Sequence, residues 1–188
     1  NCSSLENVTI KNNGTIGVSA FESSSTENPA TYVISNVGLI DESAFANCSA
    51  IKTLLVDTCV GNIGQYAFQN CSSLENVTIK NNGTIGVGVF ESSSKGNPAT
   101  YVISNVGLIG GSAFANCSAM KNCTIKNKGS IGKSAFANCT ALENCTIKNN
   151  GLIGESAFAN CTKLQKVRFG NQVGNINRRA FYNCVLLD

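Results

Sequence analysis

The sequence predicts an α/β solenoid of about eight coils, and two periodic features carry that prediction. The first is a unit, I-G-x-x-A-F-x-N-C-x-x-L-x-x-V-T-I-K-N-N-G-x, which returns every 22 to 24 residues along the 188-residue chain. The second is its aromatic, carried through Phe21, Phe45, Phe68, Phe90, Phe114, Phe136, Phe158 and Phe181. A period in this range marks an array in which each unit packs only on its neighbours. Phe is usually buried. One coil alone could not hide its ring, together with its Ile, Leu and Val companions, from water. Stacked coils can, at about 1.5–3 kcal/mol for each side chain buried.

Each coil is read in order. In L-x-x-V-x-I, Leu74, Val77 and Ile79 are predicted inward and Thr78 outward, the alternation of a short strand. The same phase holds Leu5, Val8 and Ile10, then Leu142, Cys145 and Ile147, and finally Leu164, Val167 and Phe169. Asn-Gly follows at Asn13-Gly14, Asn82-Gly83 and Asn150-Gly151, where a left-handed residue is expected to turn the chain. Ile-Gly then re-enters the core, and S-A-F-A-N has the length for one helical or 3₁₀ turn. Strands in the same phase must lie parallel, about 4.8 Å apart.

Two coils depart from the unit. After Phe21 and Phe90 the Asn-Cys is replaced by a Ser-rich stretch ending in Asn-Pro, with both prolines of the chain at Pro29 and Pro98. Ser23–Asn28 and Ser92–Asn97 are therefore expected to bulge outward as loops. Residues 1–50 recur almost unchanged at 70–119, three coils later, which points to internal duplication within one solenoid domain spanning 1–188. The chain opens and closes in mid-repeat, so a segment of a longer array is expected.

Composition narrows function mainly by exclusion. A net charge of +3 is too mild for nucleic acid, and no apolar run reaches the roughly 18 residues of a membrane span. With no histidine in the chain, Ser-His and Cys-His nucleophiles are excluded. Ten cysteines occur without a C-x-x-C pair, which argues against zinc. Seven of them (Cys2, Cys48, Cys71, Cys117, Cys139, Cys161 and Cys184) share the Asn-Cys slot and stack in one lane, poorly aimed for bridging. They are expected as small, buried, reduced thiols, which suits a reducing cytosol or the surface of an anaerobe. Glu6, Glu75 and Glu143 recur in one lane with no convergent partner. No phosphate-binding Gly-rich loop occurs. No catalytic residue, metal ligand or cofactor is assigned. The N-x-S/T triplets at Asn47, Asn76, Asn82, Asn122 and Asn144 follow from the repeat chemistry, and the Asn of Asn-Cys is expected to cap the helical turn or bond exposed backbone.

The strand L-x-x-V-T-I followed by I-G-x-x-A-F-x-N-C resembles the BspA-like class of leucine-rich repeats, over the whole chain. That class occurs on host-associated bacteria and in anaerobic protozoa. The resemblance implies a curved solenoid with a parallel concave sheet and the short turns on its convex side. It also implies a non-enzymatic cell-surface recognition or adhesion array for a protein or glycan, such as a host matrix protein. A structural spacer, or an intracellular scaffold in the cytoplasm of an anaerobic protist, is the alternative. The family often places Pro after the strand, where this chain has Lys80-Asn81, Lys126-Asn127 and Lys148-Asn149.

The outward face of the sheet is the candidate site. Thr9, Val33, Leu55, Thr78, Val102, Thr124, Thr146 and Arg168 share one position, and Lys11, Ser35, Asp57, Lys80, Ser104, Lys126, Lys148 and Gly170 another. From these, with Lys166, the partner-binding residues are expected to be Thr78, Lys80, Thr124, Lys126, Thr146, Lys148, Lys166 and Arg168. The patch is expected to be strongest over the last complete coils.

Overall fold

A computed structural model describes residues 2–105 and 107–188. One strand per coil builds a parallel eight-stranded sheet. Its members are β1 (Asn7–Lys11), β3 (Ala30–Ser35), β5 (Ile51–Val56), β7 (Asn76–Ile79), β8 (Ala99–Ile103), β9 (Met120–Ile125), β10 (Asn144–Ile147) and β11 (Lys166–Phe169). Between them, β2 (Thr15–Ile16), β4 (Leu39–Ile40) and β6 (Asn62–Ile63) pair as a second parallel ladder. Single bridges carry that ladder on through Ile85, Ile109, Ile131, Ile153 and Ile176. Eight successive strands delimit about seven full turns rather than eight closed coils.

The register follows the sequence phase. Leu54 pairs with Val77, Thr78 with Val102, and Thr146 with Arg168. Inward residues of the sheet, the Ile ladder and the Phe lane enclose one continuous core. The rings from Phe45 to Phe158 are fully buried and stack at 4.8–5.2 Å with planes within 3–5° of parallel. Phe169, expected inward, is instead 46% exposed and meets Phe181 edge-on, because β11 is the edge strand with no coil stacked on it.

No α- or 3₁₀-helix forms among the described residues, so the α part of the expected fold class is not present. The S-A-F-A-N segment is instead a pair of tight turns. Ser43 (φ 54°) and Asn47 (φ 61°) are left-handed, which a right-handed helix cannot hold, and the same two positions are left-handed at Ser112 and Asn116, Ser134 and Asn138, and Ser156 and Asn160. A left-handed third residue is the requirement of a type II turn, and Asn meets it better than most side chains. The amides then alternate. Ala44 N and Cys48 N close the two turns on Asp41 O and Phe45 O, and Ala46 N bonds Ser43 O between them, whereas Phe45 N and Asn47 N donate to Ala67 O and Gln69 O of the next coil. Those cross-coil bonds satisfy the backbone that a helix would have satisfied internally.

The Asn-Gly pairs do not supply the left-handed residue; among the described residues φ is positive at one glycine, Gly88. Gly83 and Gly151 are required by space. A Cβ on Gly151 would stand 2.6 Å from the backbone carbon of Gly129, where one coil crosses the next.

The Ser-rich loops do not bulge out whole. Ser25, Ser93 and Ser94 are fully buried. Ser94 Oγ donates to Leu74 O at 2.6 Å and lies 2.8 Å from the Tyr101 hydroxyl; Ser25 serves Leu5 O and Tyr32 likewise. Tyr32 and Tyr101 take inward strand positions, and a buried phenol needs a partner. Only Thr26–Pro29 and Lys95–Pro98 stay exposed.

Candidate interaction surface

Three outward positions per strand face solvent, not two. Besides the Thr78 and Lys80 lanes, Asn76, Thr100, Asn122, Asn144 and Lys166 align in register. In this third lane the Asn144 amide donates to Asn122 Oδ1 at 3.1 Å. The N-V-T and N-C-T spelling of the repeat placed these residues, but their ladder was not anticipated.

Thr124, Thr146 and Arg168 lie on adjacent strands β9, β10 and β11, paired residue to residue. Lys126 and Lys148 follow their strands by one residue. Their amides still donate across the sheet, to Ile103 O at 2.7 Å and Ile125 O at 2.8 Å, so they remain in lane. Lys166 lies on β11 two residues before Arg168, in lane with Asn144 rather than with Lys148. A cleft of about 140 Å³ opens between Asn144, Cys145, Thr146, Lys166 and Arg168. A wider one of about 400 Å³ lies at the strand ends, between Lys148, Asn149, Asn150, Gly170, Asn171 and Gln172. Thr78 and Lys80 are not part of this group. Strand β8, with Val102 and Ser104, stands between them and Thr124 and Lys126.

The charge of the patch is uncompensated. Ion pairs among the described residues join Lys52 to Glu75 (3.3 Å), Lys121 to Glu143 (3.5 Å) and Lys133 to Glu155 (3.4 Å). None involves Lys126, Lys148, Lys166 or Arg168. Those pairs also answer the Glu lane: Glu75 and Glu143 each face a lysine on the preceding strand, and Glu75 also accepts from Asn97 at 2.7 Å. The hydrogen bonds from Asn97 and Lys52 hold the Glu75 carboxyl below its usual range.

The buried thiols of the Asn-Cys lane are held protonated in the core. Burial pushes the Cys48 thiol up to about 11 and Cys117 to about 12, so both stay protonated near neutrality. The thiols act as donors: Cys71 Sγ to Phe45 O, Cys117 Sγ to Phe90 O and Cys139 Sγ to Phe114 O. The lane is less uniform than expected, for Cys2 is exposed and Cys184 half-buried at the two ends. The Asn of Asn-Cys caps no helix. It hydrogen-bonds the same residue one coil back, Asn138 to Asn116 and Asn160 to Asn138. Among the described residues no cluster of acidic or cysteine side chains is arranged to hold a metal. No helix is long and apolar enough to cross a membrane.

The Lys-Asn that replaces the family's Pro also has a physical account. Asn127 and Asn149 are buried and donate to Gly129 O and Gly151 O, closing the turn after each strand, as Asn105 does to Gly107 O after Ser104; buried Asn81 donates instead to Gly61 O, one coil back.

A model of the BspA type leucine rich repeat region, with six copies, matches residues 1–100 and 100–188. No curated protein matches the chain. Among solved structures it is similar to a leucine-rich repeat protein from Bacteroides ovatus (20% identity, 99% of this chain and 66% of that one, TM-score 0.37). It is also similar to the leucine rich repeat protein of T. pallidum (17% identity, 85% and 71%, TM-score 0.45). A third is a leucine rich cell surface protein from Faecalibacterium prausnitzii (18% identity, 97% and 69%, TM-score 0.33). The chain thus spans about two thirds of the length of the solved proteins it matches.

Proposed function

The chain belongs to the BspA-type leucine-rich repeats, and from that premise we propose that it is a cell-surface recognition array whose contact surface is the outward face of β9–β11. Proteins of this family serve as interaction or adhesion modules and are generally not enzymes. The observation that carries the assignment is the group Lys126, Lys148, Lys166 and Arg168, without carboxylate partners among the described residues and spread over the three lanes of β9–β11, with Thr124 and Thr146 in the lane of Arg168. Register places equivalent side chains about 4.8 Å apart, so donors and charge form a continuous patch. Such a patch suits a protein or glycan bearing acidic groups. Exposed charge steers encounter and sets specificity, while most of the affinity must come from hydrogen-bond and apolar contacts.

The test compares two variants for binding to immobilised host matrix proteins. Lys126, Lys148, Lys166 and Arg168→Ser should lose binding. Lys133, Glu155 and Arg178→Ser, away from the sheet, should keep it. The opposite result removes the site assignment. If the unaltered chain binds no matrix component, the array is a spacer and the sheet face is only solvated strand surface.

A further inference from the structure

The duplicated coils carry two copies of a second surface, at the N-terminal rim of the sheet. Beneath each Ser-rich loop lies a cleft of about 270 Å³. The first is lined by Thr26, Glu27, Pro29, Ala50, Lys52 and Ser73 among others; the second by Lys95, Pro98, Ala119, Lys121, Ala141 and Lys163, with Glu143. The loop and its own strand have the same length in both copies, so differences in chemistry there come from side chains alone, whereas the coils that complete each cleft, at Ser73 and at Ala141 and Lys163, differ in sequence.

Residues 1–50 and 70–119 differ at six positions: Ser19/Gly88, Ala20/Val89, Thr26/Lys95, Glu27/Gly96, Asp41/Gly110 and Glu42/Gly111. Four of the six change charge, each in the positive direction. Two of those four, Thr26/Lys95 and Glu27/Gly96, lie in the clefts themselves. In the first, Glu27 accepts from Ser3 at 2.7 Å and Ser4 at 2.8 Å, leaving a fixed carboxylate in the cleft, where Lys52 is already engaged by Glu75 at 3.3 Å. In the second that carboxylate is gone and a lysine has been added. Lys163 adds a further cation, and the one acid, Glu143, is engaged by Lys121 at 3.5 Å.

We propose that the second cleft is a docking groove for an extended acidic peptide segment, laid along the solenoid axis from Lys95 past Lys121 to Lys163. Charge complementarity supplies the reason, and the remaining lining decides between ligand classes. Pro98, Ala119 and Ala141 make a smooth floor of small apolar groups, with lysines at both ends. No aromatic ring lines the cleft to stack on a sugar, and its polar groups besides the lysines are Ser118 and the lysine-engaged Glu143. The groove crosses β8, β9, β10 and β11, about 14 Å at the usual strand spacing, which four extended residues span. This surface is separate from the outward sheet face proposed above and does not rest on it.

The experiment uses hexaglutamate as probe and the 188-residue chain, at low salt. The K95T/G96E variant puts into the second cleft the residues that the first already carries, so the fold tolerates it. It should weaken binding about fivefold, as removing one exposed cation and adding one anion implies. K163S should also weaken it, T26K/E27G should strengthen it, and K133S/E155S, away from the sheet and from both clefts, should leave it unchanged. Unaltered binding by K95T/G96E, no binding by the parent chain, or loss only in K133S/E155S would overturn the proposal. Tighter binding of a short heparin oligosaccharide at these lysines would overturn the peptide as ligand.

Discussion

The Ser93 hydroxyl donates to the Phe68 carbonyl at 2.7 Å, making the bond that a thiol makes in the standard coils. Cys117 Sγ reaches Phe90 O at 3.1 Å from the equivalent place. The slot after each buried Phe therefore asks for a small side chain with a donor, not for sulfur. Cys117→Ser should accordingly cost little, while Cys117→Val leaves Phe90 O with the Ser93 amide (3.0 Å) as its remaining donor and should cost about 0.5–1.5 kcal/mol more. Urea unfolding of the two variants separates them. Equal costs would mean that the slot selects only for volume.

The Phe lane should be the most sensitive part of the core. Phe136 stacks on Phe114 at 4.8 Å and on Phe158 at 4.9 Å, so both neighbours lose a partner when it is removed. Phe136→Ala should cost about 3–5 kcal/mol. Amide exchange should quicken in the coils on either side, and a loss confined to one coil would contradict the stacked-core account.

Gly151 and Gly17 make a matched pair. The first stands where a Cβ would meet Gly129 backbone at 2.6 Å; the second has nothing within 4 Å of the same atom. Gly151→Ala should destabilise by about 1–3 kcal/mol, because backbone on backbone cannot rotate away. Gly17→Ala should be neutral or slightly stabilising, since its only effect is on the unfolded chain. Thermal unfolding of the two variants decides it.

These glycines show where sequence reading stops. Period, strand phase, inward residues and register were legible, because hydrophobic alternation and the Phe lane report directly on burial. The side opposite the sheet was not. S-A-F-A-N has the length of a helical turn, and nothing in its composition announces that Ser and Asn will be left-handed in alternate turns. That conformation is stabilised by amides donating to the next coil, a contact between residues about 22 apart. The same holds for the candidate site. Lane membership of Thr124, Thr146 and Arg168 could be read off, whereas the gap at β8 and the loop-side clefts depend on which coils become neighbours.

Alkaline pH should unfold the protein through its interior hydroxyls and thiols. Burial holds the Cys48 thiol at about 11 and Cys117 at about 12, against an ordinary value of 9.0, and pushes the Tyr101 phenol up as well. For an acid whose value is raised in the folded state, the neutral form is the folded one. Its contribution is fully present below the unfolded value and is lost as pH rises towards the folded one. Stability should therefore be flat from pH 7 to about 9 and fall between about 9 and 12. Cys117→Ser removes one titrating thiol while keeping the donor, so its decline should be shallower by one proton; Tyr101 and the other buried thiols keep it from vanishing. Labelling at pH 8 gives the matching readout: exposed Cys2 and Cys59 should react at once, and buried Cys71, Cys139 and Cys161 only in denaturant. Rapid labelling of that buried set in the native state, or equal alkaline slopes for parent and Cys117→Ser, would show that the lane is open to solvent.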